Sequence, residues 1–170
     1  MAGTSFTGEY PQRIDGKGRM SIPSDFRRVL EASDPAWTEG LNPSLHLLYG
    51  EHLTDRLEAY TVAAFDEIAQ RIMAIRPTNA DEAQRKVMSQ RLILGQSVRL
   101  EVDRDGRIVM PLRQRQRLGM SEGEVVFLGA GEKFEIWAAA TYEEKVAAET
   151  RAYLEKQGPG FDPMTLVWGG

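Results

Sequence analysis

A chain of 170 residues that is 42% hydrophobic and 27% charged has the composition of a globular protein, sized for one compact domain or two small lobes. It has no cysteine, which excludes disulfides, thiolate metal sites and a thiol nucleophile and fits a reducing cytosol. With no basic-then-apolar leader and no apolar run near the roughly 20 residues that span a bilayer, a cytoplasmic protein without a membrane partner is expected. The net charge of −4 disfavours a polyanionic partner until its distribution is considered. Residues 1–28 carry five cations against three anions and residues 97–119 carry six against three, so the remainder is acidic. Such asymmetry favours an oriented approach to a polyanion.

In chain order, Phe6 to Tyr10 predicts a first strand, interrupted by Pro11 before Arg13-Ile14. Asp15 followed by Gly18 marks a tight turn, in which the carboxylate accepts backbone N–H groups and glycine takes a positive φ. Arg19 leaves the turn into a half-buried strand in which Met20 and Ile22 alternate with Arg19 and Ser21. Pro23 stops that strand and suits a helix start; Phe26, Val29 and Leu30 then fall at i, i+3 and i+4. Ser33 to Pro43 is a loop, and Leu45 to Tyr49 is a short buried strand. It contains His46, and with His52 the only other histidine a metal site has little support.

Leu53, Leu57, Tyr60, Ala64, Ile68, Ile72 and Ile75 recur every three or four residues and predict one helix over 53–75, closed by Pro77. Asn79 with Glu82 caps a second helix reaching about Leu94, with Arg85, Lys86 and Arg91 on a solvated face. Val98, Leu100 and Val102 alternate into a second turn, Ile108 to Met110 leave it, and Arg113 to Leu118 form a short helix. Val125–Leu128 and Phe134–Trp137 are a hairpin around Gly129-Ala130-Gly131, which lacks the Gly-Lys-Ser/Thr continuation of a phosphate loop. Thr141 with Glu144 predicts the capping box of a last helix ending near Gln157. Gly158-Pro159-Gly160 breaks it.

Two stretches are nearly the same. Asp15-Gly16-Lys17-Gly18-Arg19-Met20-Ser21-Ile22-Pro23 recurs as Asp103-Arg104-Asp105-Gly106-Arg107-Ile108-Val109-Met110-Pro111 at a constant offset of 88. The same offset sets Leu48-Tyr49 over Ile136-Trp137. The chain is therefore expected to be a duplicated unit: a first copy at 6–50, a helical insert at 51–95, a second copy at 96–140, a C-terminal helix at 141–157 and a flexible tail at 158–170. Neither copy is large enough to bury much core alone, so the two should pack together. In one copy the Asp–Arg pair fits a purely structural hairpin equally well; its retention in both argues that the loop geometry matters.

Catalytic constellations are missing from the sequence: no clustered histidines, no Gly-x-Ser-x-Gly elbow, and Glu143-Glu144 on a helix surface. Asp15 and Asp103 stand beside arginines and should be ionised, which is wrong for a general acid. No enzyme, cofactor or small-molecule substrate is expected.

The Asp-x-x-Gly-Arg pair, the proline after each strand, Leu47-Leu48-Tyr49, Arg91-Leu92-Ile93-Leu94-Gly95 and Lys133-Phe134-Glu135-Ile136-Trp137 together resemble the MraZ family. Its halves are similar to AbrB-like (SpoVT-AbrB) DNA-binding domains, and the resemblance covers about residues 6–145. It implies an α+β fold: a duplicated AbrB-like swapped-hairpin β-barrel with pseudo-twofold symmetry, flanked by helices. It also implies a bacterial transcriptional regulator, in the cytoplasm and nucleoid, whose ring-like homo-oligomer grips double-stranded DNA at short direct repeats before its own division and cell-wall operon. The family's DNA-facing loop arginine falls on Arg19, with Arg107 its counterpart. Arg13, Lys17 and Arg104 complete the implied DNA-binding set, and Asp15, Gly18, Asp103 and Gly106 shape the loops. Three departures stand out. Asp105 occupies the place of Lys17, so the first loop should bind more strongly; Thr7 stands where members often carry arginine; the tail after about Arg151 has no assignable counterpart. The alternative is an antitoxin-like or scaffold module that contacts a protein partner through the barrel and the acidic helices.

Overall fold

The structure, a computed structural model, describes residues 5–169. It divides into one unit up to Ala138 and a second from Ala139 onward. The first is α+β. Six strands form one antiparallel sheet in the order β1-β7-β8-β4-β3-β5: β1 (Glu9–Ile14), β3 (Ser44–Leu48), β4 (Arg56–Thr61), β5 (Ser97–Glu101), β7 (Gly123–Gly129) and β8 (Lys133–Ala138). The short strands β2 (Arg19–Ser21) and β6 (Arg107–Val109) pair only with each other, as a two-stranded ribbon. The sheet keeps two edges, β1 and β5, and does not close into the expected barrel. Pro11 does not interrupt β1 but lies within it opposite Val126, since an edge strand needs ladder donors on one side only.

The strand pairings reveal how the halves correspond. Gln12 and Leu100 differ by the repeat offset; Gln12 pairs with Val125, and Leu100 pairs with Leu45. Val125 pairs onward with Ala138, and Leu45 with Thr61. So β3 corresponds to β7 and β4 to β8. Two residue pairs then face their own images: Met20 opposite Ile108 in the ribbon, and Glu58 opposite Glu135 in the sheet. A pseudo-twofold relation runs through both. This corrects the alignment of Leu48-Tyr49 with Ile136-Trp137: Leu48 corresponds to Leu128, because the connection from α1 (Ser24–Ala32) to β3 is longer than that from α4 (Leu112–Arg117) to β7.

It also corrects the helix expected over 53–75 and the wholly helical character of the 51–95 insert. Residues 56–61 are β4, a central strand, and α2 is only Val62–Ala74. Leu57 and Ala59 are fully buried in the sheet core, and the Thr61 side chain accepts the Ala64 N–H and starts the helix there. On the other face, Glu58 and Glu135 are set directly opposite, an arrangement that repels. Arg56 and Lys133 offset it: the Arg56 guanidinium lies 3.2 Å from Glu58 and 3.7 Å from Glu135, and Lys133 Nζ lies 3.0 Å from Glu58. The next helix does follow the expectation. α3 (Ala80–Ser89), capped by the Asn79 side chain at Glu82 N–H, continues through a π-helical turn to Leu94.

One core serves both copies, as their small size required: Phe6, Phe26, Phe127 and Phe134 cluster with Ile14, Met20, Ile108 and Met110. The ribbon is tied across the halves by two more hydrogen bonds, Met110 N–H to Gly18 O and Ile22 N–H to Gly106 O, each 2.8 Å. Arg115, although counted in the sequence's basic excess, is buried; its Nε donates to Met110 O at 2.9 Å and its Nη1 to Ser121 O at 2.7 Å.

In the second unit the helix starts at Ala139 (α5, Ala139–Thr141), runs through a π-helical stretch at Tyr142–Ala147 and continues as α6 (Ala148–Gln157). Thr141 therefore lies inside the helix with helical dihedrals and caps nothing with its side chain, which corrects the predicted capping box. Gly158 ends α6 at φ 86°. In the segment expected as a flexible tail, Phe161 packs edge-on against Tyr153 and residues Thr165–Trp168 form a helical turn, α7.

Replacing Arg115 by methionine keeps the apolar stem but leaves the buried Met110 carbonyl, and that of Ser121, without this donor. The expected loss is about 2–3 kcal/mol of unfolding free energy, measured by urea denaturation. A loss below about 0.5 kcal/mol, the range of an ordinary surface substitution, would refute the staple assigned to this side chain.

Candidate nucleic-acid interface

Each Asp-x-x-Gly-Arg segment is a closed loop. In the first, Asp15 N–H donates to Arg19 O (3.0 Å) and Gly18 N–H to Asp15 O (2.9 Å), while Asp15 Oδ1 accepts from both Lys17 N–H and Arg19 N–H at 2.9 Å. Gly18 has φ 85°, and a Cβ there would run into the Met110 carbonyl and the Arg115 guanidinium. The second loop repeats the pattern: Asp103 Oδ1 accepts from Asp105 N–H (2.9 Å) and Arg107 N–H (3.0 Å), and Gly106 has φ 79°. A Cβ on Gly106 would meet the guanidinium of Arg27. Arg27 and Arg115 differ by the repeat offset. Each loop glycine of one copy thus lies under an arginine of the other, and only glycine leaves room there.

The loops differ in how they hold their arginines. Arg19 Nε donates to Asp15 Oδ2 at 2.7 Å, with 42% of the side chain exposed. Among the described residues its two Nη groups bond to nothing. Arg107 Nε is 4.0 Å from Asp103 Oδ2, too far for a hydrogen bond, and its Nη2 turns instead to Asp105 Oδ2 at 3.4 Å. The aspartate that replaces Lys17 thus draws the second guanidinium onto its own loop.

Alternation in the ribbon sends Met20 and Ile108 into the core and Arg19, Ser21, Arg107 and Val109 outward. Arg19 and Arg107 are diagonal on this outer face, roughly 7–8 Å apart. The strands are antiparallel and each starts at its loop, so the loops lie at opposite ends of the ribbon. Lys17 and Arg104 are exposed at the tips, and Arg13 is exposed on β1 opposite Glu124. The five predicted DNA-binding residues are therefore all at the surface, none of them locked in a buried ion pair. Not every sequence-counted cation joins them. Arg115 is buried, Arg27 is half-buried over Gly106, and Arg28 is paired with Asp25. His46 stacks on Phe65 with ring centroids 4.1 Å apart, and burial lowers its pKa. Among the described residues no group of His, Asp or Glu could hold a metal ion.

The chain matches, over residues 5–87 and 93–157, the model of a family described as "MraZ protein, putative antitoxin-like". It is similar to the protein called Transcriptional regulator MraZ of Ruegeria pomeroyi, with 42% identity over 164 residues, 96% of this chain and 95% of that one. The protein of that name from Ruegeria sp. (strain TM1040) is 40% identical over 98% of this chain and 97% of its own. That of Parvibaculum lavamentivorans is 33% identical over 92% and 87%. This chain belongs to the MraZ family. The first family block ends at residue 87 and the second begins at residue 93, ahead of β5, so each block holds three strands of the sheet and one of the ribbon, in agreement with the correspondence of β3 with β7 and β4 with β8. The second MraZ block extends to residue 157, past Arg151, where the sequence offered no counterpart.

The hydrogen bonds to Asp15, led by the Arg19 backbone N–H and then its side chain, hold the carboxyl pKa down to about 2 from 3.8. A depressed carboxylate pKa means that its contribution to loop order is present above about 3.8 and is lost as pH falls toward 2. A carboxyl-carbon NMR titration should place the Asp15 midpoint near 2, and Arg19→Gln should raise it only part of the way, since the backbone bond remains. A wild-type midpoint near 3.8 would mean that these loop contacts do not form in solution.

Proposed function

We propose that this chain is a sequence-specific DNA-binding transcriptional regulator that lays the β2–β6 ribbon against the duplex. The observation that carries the reading is the outer face of that ribbon, where Arg19 stands on Asp15 with both Nη groups free among the described residues, diagonal to Arg107. A two-stranded ribbon fits the major groove, where an arginine bonds guanine O6 and N7. Lys17, Arg104 and Arg13 flank it as phosphate contacts, which fix register without reading sequence. The names of the relatives, Transcriptional regulator MraZ, support the same assignment.

The interleaving of the halves, with β2 pairing to β6 rather than to β1, supports kinship with AbrB-like swapped hairpins. The target we infer is short direct repeats before a division and cell-wall operon of which this chain is part, bound by a ring-like homo-oligomer in the cytoplasm and nucleoid. A few cations give modest affinity for one ribbon; joining identical ribbons in one assembly raises avidity about 10²–10⁴-fold without new contacts. That is how an acidic chain can hold DNA. The reading assigns no catalytic step, cofactor or small-molecule substrate. The antitoxin-like alternative draws on one observation, the run of exposed apolar side chains at Leu166, Val167 and Trp168; co-purification with a stoichiometric protein partner would favour it.

Arg19→Ala should abolish specific retention of repeat-bearing DNA, a loss of roughly 1–3 kcal/mol per ribbon, while assembly by light scattering is unchanged. Arg107→Ala should cost less, because Asp105 already engages that guanidinium. Gel-shift titration at physiological salt measures both, and unchanged affinity in Arg19→Ala would refute the assignment.

A further inference from the structure

The outer face of the ribbon is not uniform. Val109 sits directly opposite Arg19 and is 54% exposed, although its neighbours Ile108 and Met110 are fully buried. Leu112, at the start of α4, is a second exposed apolar side chain, at 49%. At the repeat offset their counterparts are Ser21 and Ser24. One half of the face is therefore guanidinium and hydroxyl, and the other half is guanidinium and hydrocarbon. A lone exposed valine is ordinary. What makes Val109 informative is that only four side chains form this face and two of the others are the arginines.

On the DNA-binding reading, we propose that Val109 is a specificity-determining residue that packs on the C5 methyl of a thymine beside the guanine taken by Arg19. The thymine methyl is the one apolar group displayed in the major groove. Directly opposed residues of an antiparallel pair have Cβ atoms about 4.5–5.5 Å apart, against a rise of about 3.4 Å per base pair. The two contacts thus fall on adjoining or next-adjoining steps. The pseudo-twofold image of the pair is Ser21 opposite Arg107, and a serine hydroxyl accepts more than one base. A scaffold with twofold-like pairing in this way reads a site without twofold symmetry, with the added discrimination in the half served by Val109.

The experiment selects a duplex from a random pool with the full-length wild-type protein, then replaces each thymine in turn by deoxyuridine, which removes only the methyl. One position should lose about four-fold in affinity, the worth of one buried methyl group. Val109→Ser, the residue already present at position 21, should bind the parent and that deoxyuridine duplex equally, and Val109→Thr, which keeps a methyl, should retain the sensitivity. Circular dichroism checks that both variants fold. The proposal is overturned if no thymine position responds in the wild type, or if Val109→Ser responds as the wild type does. A selection that yields no preferred sequence would instead refute the DNA-binding reading, and this proposal with it.

Discussion

The ribbon exists only because each copy contributes one of its two strands. β2 and β6 are three residues each, too short to hold together on their own backbone bonds. They are held by what lies around them. The Met20–Ile108 pair faces the common core, the Gly18 and Gly106 carbonyls accept N–H groups from the opposite copy, and the helix arginine of each copy roofs the other's loop. Half of the chain could not place either loop. Rigidity at the loops follows from this crossing, and rigid presentation lowers the ordering cost of binding.

The same crossing explains how the basic residues are divided. Of the eleven cations in the two repeats, Arg115 staples carbonyls, Arg27 covers Gly106, and Arg28 pairs with Asp25. Among those that remain, Arg19 is held in a fixed direction. Asp15 leaves Arg19 partly exposed; it takes the Nε edge and fixes the direction of the rest. An exposed ion pair of this kind contributes little to stability. Its effect is on orientation.

The loops were legible in the sequence because their physics is local. An aspartate reaches backbone N–H groups two and four residues on, a glycine takes the positive φ, and both signals lie within five residues. The core shared by the copies was legible from size alone. β4 was not, because Leu53, Leu57 and Tyr60 have helical spacing by coincidence, while the alternation of Leu57, Ala59 and Thr61 is masked by Arg56, Glu58 and Tyr60 between them. Those polar residues belong to a strand interior only once Lys133 and Glu135 of β8 stand across from them, and that pairing is remote in sequence. Arg115 was counted as a surface cation for a similar reason: nothing near it announces the carbonyls of Met110 and Ser121 as its partners. Val109 could have been found, since it sits between two residues that must face inward.

A dimer of identical chains would have to present two identical loops. Fusing the copies removes that requirement, and here the copies have parted where the core does not constrain them. Lys17 corresponds to Asp105, Gly16 to Arg104 and Ser21 to Val109, whereas Asp15, Gly18, Arg19, Arg27 and the two prolines are kept in both. Residues that shape or roof the loops are held by the cross-copy contacts: a Cβ on either glycine strikes the partner's arginine, so a change in one copy disturbs the other. Ser21 and Val109, exposed on the outer face, carry no such constraint. The pattern of difference therefore separates positions held by cross-copy contacts from positions the core leaves free, and Val109 is among the latter.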